Sequence, residues 1–351
     1  MRSASGIPYA IGAAILFGAS TPIAKSLVGE IAPVMLAGLL YAGSGLGLAA
    51  ALLIRRVATK GPIEPLVLPR GVDLGWLALA ILFGGVLGPV LLMSGLATTP
   101  GSVSSLLLNL EAVFTAGLAW FVFREHFDRR IALGMALIVV AGVLLSWTPG
   151  DLALSPGALL VAGACLCWAI DNNFTRKVSA HDAMLIACVK GGVAGIFNLG
   201  VAAAIGIQLP SFPLVAVAAA VGFAGYGVSL TLFVLALRGL GAARTGAYFS
   251  VAPFFGAAIA VGLQHEPLTA ALLVAAILMA WGVWLHISET HGHIHAHEPL
   301  EHSHAHVHDE HHRHDHDAAW NGAEPHTHRH LHRPIRHTHP HFPDIHHQHR
   351  H

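Results

Sequence analysis

The residues best suited to chemistry fall into two groups. The first is a run of imidazoles: all but four of the 27 histidines lie between His291 and His351. His291, His293, His295 and His297 form one His-x-His series, His302, His304, His306 and His308 a second, and His326, His328, His330 and His332 a third. Between them stand His311, His312, His314 and His316, with Asp309, Asp315 and Asp317 alongside. Imidazoles two residues apart can chelate one ion, and this donor set suits Ni, Co, Cu or Zn rather than Ca or Mg. Ligation needs neutral imidazole, so affinity is expected to fall as pH drops through about 6.5. An expression tag is a poorer reading, because Asp, Arg and Pro are spread among these histidines.

The second group is polar residues inside apolar surroundings: Glu111, Asp171 with Asn172 and Asn173, and Lys190. An ionisable side chain within a bilayer costs about 2.5–3.5 kcal/mol on insertion scales, so each needs a partner or a purpose. Glu111 reads either as a proton- or cation-linked site or as a hydrogen-bonded structural carboxyl. Asp171 and Lys190 lie at similar depth on adjacent spans and are expected to pair. Ser20, Thr21 and Pro22 either unwind the first span and bare its carbonyls to a cavity, or serve as polar contacts between packed helices. Glu125 and Glu266, near span ends, are expected to cap helices or pair with loops. Cys165 and Cys167 project from different faces of a helix and make a poor metal clamp; with Cys188 they read as buried thiols.

The elements that must hold these groups are set by hydropathy. The chain is 54% hydrophobic and 11% charged, far from a soluble domain of its length. A helix needs about 20 mainly apolar residues to cross a bilayer with its backbone satisfied. Ten windows qualify: Ile7–Leu27, Ala32–Ile54, Leu74–Ser94, Ser102–Phe123, Ile131–Trp147, Gly157–Thr175, Ala183–Ile207, Leu214–Leu237, Thr245–Gln264 and Leu268–Ile287. The first is read as a retained span, since no small-residue cleavage site followed by a soluble stretch accompanies it. Lys and Arg decide orientation. With the N-terminus inside, the inner loops hold Arg2, Arg55, Arg56, Lys60, Arg70, Arg124, Arg129, Arg130, Arg176, Lys177, Arg238 and Arg244, against Lys25 alone outside. Both termini are therefore expected in the cytoplasm of a cell whose inner (plasma) membrane holds the bundle. The tail after residue 287 has too few apolar residues to fold alone and is expected to be disordered without metal.

The chain also repeats. A shift of 141 residues sets Ala112-Val113-Phe114 on Pro253-Phe254-Phe255 and Glu125 on Glu266, and a shift of 151 sets Phe17 on Trp168, Ser20 on Asp171 and Lys25 on Arg176. Two five-span halves follow, and because five is odd the second is inverted. The domain reading is a first five-helix repeat over residues 1–148, a second over 149–287 and a histidine-rich tail over 288–351. The segment Phe17-Gly18-Ala19-Ser20-Thr21-Pro22 with Lys25, the run Leu106–Leu145, and its counterpart Tyr248–Leu268 resemble the EamA family of the drug/metabolite transporter superfamily. That resemblance implies an all-α polytopic membrane protein of ten transmembrane helices in two inverted repeats, working as a secondary carrier. Ala112 stands where the family pattern has proline, which predicts a less kinked fourth span.

Function classes narrow accordingly. A net charge of zero and the lack of basic segments interleaved with aromatics disfavour nucleic acid as a partner. No His-Glu-x-x-His, nucleophile elbow or phosphate loop speaks for an enzyme, and no cofactor is required. The leading expectation is a proton-coupled exporter in the lipid bilayer, moving a small solute through Glu111, Asp171, Asn172, Lys190, Ser20 and Thr21. A divalent metal such as nickel or cobalt is the favoured cargo. Export of an organic metabolite or drug, with the tail as a metal-responsive regulator, is the alternative, and a membrane-anchored metal sensor or store is a third.

Overall fold

The structure is a computed structural model that describes residues 6–58, 69–123, 129–147, 154–178, 182–233, 235–236, 245 and 248–287, together with four strands at 292–296, 301–306, 326–331 and 336–340. Two compact units emerge, residues 1–289 and 290–351.

The first unit is helical. Among the described residues seven helices are long and apolar enough to cross a membrane: Gly6–Val28, Pro33–Ala58, Val72–Thr98, Gly101–Leu118, Pro156–Thr175, Met184–Ala204 and Phe212–Phe233. Shorter apolar helices occupy Ala132–Ser146, Ala252–Leu263 and Ala270–Leu285. Each falls within or across one of the hydropathy windows. We label α1 Gly6–Val28, α2 Pro33–Ala58, α3 Val72–Ala80, α4 Gly88–Thr98, α5 Gly101–Leu107, α6 Leu110–Phe123, α7 Arg129–Ser146, α8 Pro156–Lys177, α9 Ala183–Ala204, α10 Phe212–Gly222, α11 Ala252–Leu263 and α12 Ala270–Ile287.

Lipid offers no hydrophobic force between helices, so close packing of small residues must hold the bundle together. Along α2 and α9 that packing is continuous: Gly45 meets Gly191 and Gly192, Gly195 meets Ala42, and Gly38 meets Leu199. Gly282 of α12 likewise sits 2.7 Å, at the Cβ position, from the Gly134 carbonyl of α7. The outward faces carry Leu46, Leu53, Ile196, Ile277 and Trp284, all strongly exposed, as lipid contact requires.

Two irregularities recur at equivalent places in the two halves. A π-helical segment, Ile81–Leu87, joins α3 to α4, and another, Phe223–Val228, follows α10. They start 142 residues apart, close to the shift that aligns Glu125 with Glu266. The fourth window is also not straight. It breaks at Leu108–Asn109, where Asn109 N–H bonds the Leu106 carbonyl at 3.0 Å and Glu111 N–H bonds Leu108 at 3.1 Å, three residues back instead of four. The turn at Ser250–Val251 before α11 lies 142 residues further on. The straighter fourth span expected from Ala112 is therefore corrected. Asn109 lends its side-chain amide to the Leu106 carbonyl at 3.0 Å, so the break is supported without proline.

In the second unit four segments are extended, although composition predicts no regular structure there. The strands β1 (Gly292–Ala296) and β4 (Arg336–Pro340) pair antiparallel, as do β2 (Glu301–His306) and β3 (His326–Leu331). Strict alternation of histidine with another residue matches the two-residue period of a strand. His291, His297, His308, His311, His312, His314, His316 and His332 lie outside the described residues, as does Glu125.

Candidate functional site

The polar residues of the bundle meet on α8. The turn Asp171-Asn172 faces two neighbours at once, because adjacent helix positions point about 100° apart. Asp171 turns towards α9, where Lys190 Nζ donates to Oδ1 at 2.6 Å and Oδ2 at 2.8 Å. Thr175, one turn along α8, donates from Oγ1 to Asp171 Oδ1 at 2.8 Å and accepts from Lys190 Nζ at 3.1 Å. The expected ion pair thus forms, with side chains 13% and 10% exposed.

Asn172 turns towards α6 and donates from Nδ2 to Glu111 Oε1 at 2.7 Å. Glu111 lies in the first turn of α6, just past the break, where the helix N-terminus favours negative charge. Asn172 is exposed and Glu111 half-buried, whereas Asp171 is buried. No ion pair to Glu111 is present among the described residues.

The floor of the site was not legible from spacing. The π-helical segment sends the Gly88 N–H to the Phe83 carbonyl instead of to Gly84, and Pro89, four residues after Gly85, has no N–H to donate. Tyr41 Oη donates to Gly84 O at 2.7 Å, Trp168 Nε1 donates to the same oxygen at 3.0 Å, and Asn198 Nδ2 donates to Gly85 O at 3.1 Å. The Asp171 carboxylate lies against the bare face of Gly84, where a Cβ would overlap it. Around these groups Phe17 stands edge-on to Trp168 at 6.5 Å and to Tyr226 at 5.9 Å, and Tyr226 lies 5.4 Å from Tyr41. The shift that set Phe17 on Trp168 touched this cluster without revealing its partners, and Asn198, a lone amide in an apolar window, is a signal that the sequence reading missed.

Ser20 and Thr21 are buried, but the first span is not unwound there. α1 is helical throughout with Pro22 inside it, so the unwinding alternative is corrected in favour of packing. Ser20 Oγ donates to the Phe17 carbonyl at 2.6 Å, and the Pro22 carbonyl accepts from Gln264 Nε2 at 2.6 Å.

Gln264 belongs to a clasp at the bundle end that also holds Lys25. Gln264 Nε2 reaches Ser26 Oγ at 2.7 Å, while Glu266 accepts from Gly101 N–H at 2.7 Å and Ser102 N–H at 2.8 Å, capping α5. Lys25 Nζ donates to the Leu96 carbonyl at 2.6 Å. His265, between the donor Gln264 and the acceptor Glu266, adopts φ 56°, the left-handed conformation that turns the chain back. Glu266 therefore caps a helix, as its position near a span end leads one to expect. Glu266→Ala leaves two helix-terminal donors unsatisfied and is expected to cost about 1–3 kcal/mol, visible as a lower midpoint of heat-induced aggregation in detergent.

A helical bundle of apolar spans with a polar site between its halves defines a membrane carrier. The chain belongs to the EamA-like transporter family, whose model matches it twice, at residues 4–147 and 155–288. It is 29% identical over 302 residues to an uncharacterized transporter of Methanothermobacter thermautotrophicus, covering 81% of this chain and 87% of that protein. Over 86 residues it is 34% identical to a probable amino-acid metabolite efflux pump of Salmonella typhimurium, covering 24% and 28% of the two chains. A solved crystal structure shares the fold with a TM-score of 0.60 at 19% identity, over 81% of this chain and 96% of that one. The chain is thus a multi-pass membrane transporter and not an enzyme.

Proposed function

We propose that the chain is a secondary carrier that exports a small organic solute in exchange for protons, with Glu111 as the group that takes up the positive charge. Its ten apolar helices all cross the bilayer as two inverted halves, with both termini in the cytoplasm of the inner membrane. Recurrence of the π-helical segment and of the mid-span break at matching places in both halves supports the repeat. The Lys and Arg bias of the loops supports the orientation.

One observation carries the assignment of Glu111. Asp171 is neutralised by Lys190, while among the described residues Glu111 is met by the neutral carboxamide of Asn172 and by no cation. The site therefore has room for one compensating positive charge, a proton or a cationic group of the solute, and a carrier that accepts them in turn couples their movements. The aromatic rings of Phe17, Trp168, Tyr41 and Tyr226 offer an apolar body its contact surface.

Glu111→Gln keeps the hydrogen-bonding shape and removes the titrating group. In proteoliposomes, pH-gradient-driven accumulation of an exported solute is expected to fall at least tenfold, about 1.4 kcal/mol of lost coupling, while solute exchange without a gradient persists. Undiminished gradient-driven accumulation by the variant sinks the assignment. The solute itself is found by growth of a deletion strain across a panel of metabolites and metals.

A second reading keeps nickel or cobalt as cargo, and the histidine-rich tail is the observation that favours it. Against it, no cluster of three His, Cys, Asp or Glu side chains occurs among the described residues of the helical bundle to receive a desolvated transition metal. Metal tolerance that tracks the intact chain, with metal uptake into inverted vesicles, decides for it.

A further inference from the structure

Every histidine in the four strands stands opposite another histidine. In the first ribbon His293 pairs with His339 and His295 with His337. In the second, His302 pairs with His330, His304 with His328 and His306 with His326. The positions between are filled by other pairs: Ile294 with Thr338, Ser303 with Arg329, and Ala305 with Thr327. Successive residues of a strand belong to opposite faces, so the four histidine positions of the first ribbon share one face, and the six of the second share one face. A slip of one residue in either register would break every such pairing.

Opposed positions in an antiparallel pair have Cβ atoms about 4.5–5.5 Å apart, and alternate positions along a strand are about 6.6–6.8 Å apart. Four histidine positions at the corners of such a rectangle fit the nitrogen set of one four-coordinate ion, whose Zn–N bonds are about 2.0–2.1 Å. Imidazole sets of this kind select borderline divalent ions.

We infer that each ribbon is a separate site for one divalent cation of the Zn, Ni or Cu class. The first is formed by His293, His295, His337 and His339, and the second by four of the six histidines of the β2–β3 face. The chain then binds two ions tightly, through residues more than forty positions apart in the first site. A flexible chelating tail would instead use whichever neighbours along the chain happen to be close. The inference is independent of what the bundle carries.

The test is a Zn2+ titration of purified, metal-stripped full-length protein against a chromophoric chelator. Two tight ions per chain are expected. H293N/H295N is expected to lose one of them, H337N/H339N to lose the same one, and the combination of all four to lose no more than either pair. H311N/H312N/H314N/H316N is expected to keep both. The exchange H337T/T338H, which keeps composition but moves one histidine to the other face, is expected to lose the first ion. Additive losses from the two pairs, an equal loss from the 311–316 variant, or two ions retained by the exchange overturns the inference. Because the titration involves no transport, its failure leaves the carrier reading standing, and a chain that binds two ions but exports nothing refutes only the latter.

Discussion

Lys190→Ala is expected to remove most of the folded protein from the membrane. Asp171 is 7% exposed, and its carboxylate is held by the Lys190 ammonium and the Thr175 hydroxyl. Without the ammonium, a negative charge remains between α8, α9 and the bare face of Gly84 with a single neutral donor. Breaking a buried pair by deleting one partner costs about 3–5 kcal/mol, because the survivor keeps its desolvation penalty and loses the attraction that offset it. Marginal proteins have about 5–15 kcal/mol in total. The expected readout is a collapse of the monodisperse peak in detergent size exclusion and a lower melting midpoint. The double change Asp171→Asn with Lys190→Met removes both charges and is expected to recover much of the yield. A single Lys190→Ala variant that melts and transports like the parent would show that the pair does not hold α8 to α9.

Gly18→Val is expected to have the second largest effect. α1 and the start of α11 cross at Gly18: a Cβ there would overlap the Ala252 carbonyl and come within 3.2 Å of Phe255 Cβ. On the other side of the crossing, a Cβ at Gly256 would meet the Gly18 carbonyl at 2.7 Å and Ser105 Oγ at 2.6 Å. The obstructing atoms are largely backbone, so relief requires the helices to part. Overpacking a close-fitted site costs about 1–3 kcal/mol and more when backbone must move. The same crossing sets the position of Phe17, one residue away, so solute export is expected to fall along with the melting midpoint. Gly262→Ala, on α11, is the control. Nothing lies within 4 Å of a Cβ there, and replacing a helical glycine without clash is expected to be neutral or to stabilise by about 0.4–1 kcal/mol. Equal behaviour of the two variants would mean that the crossing is not tightly fitted.

Much of the bundle was legible in the sequence because one physical requirement dominates it. A backbone in lipid must satisfy its own polar groups, so apolar length alone reports the helices. The Asp171–Lys190 pair was legible for a similar reason: two opposite charges at matching depth have few other ways to lower their cost. Which glycine of α2 meets which residue of α9 is set by the packing of the two helices and not by spacing along either one. The first π-helical segment gave no such signal: the donors to its Gly84 and Gly85 carbonyls, Tyr41, Trp168 and Asn198, arrive from three other helices. The break before Glu111 was obscured by the missing proline at Ala112, whose place Asn109 takes by bonding Leu106 locally. At Ser20-Thr21-Pro22 the sequence allowed both an unwound and a packed span. The choice fell to packing because Ser20 bonds within its own helix and Gln264 supplies a donor to the Pro22 carbonyl.

In the tail, composition and residue order point in different directions. A chain poor in apolar residues has little to bury, yet the His-x-His alternation also has the period of a strand, and the pairing of β1 with β4 and β2 with β3 follows that period.

The amino-acid sequence by itself determined that this protein is a duplicated membrane bundle followed by a histidine-rich tail, because hydropathy, repeat and residue type are properties of the chain read in order. Only the tertiary structure decided that Glu111 faces Asn172 while Asp171 is taken by Lys190, and that histidines far apart in the chain come into register. Those outcomes depend on which helix or strand lies beside which, and on partners that local spacing does not encode.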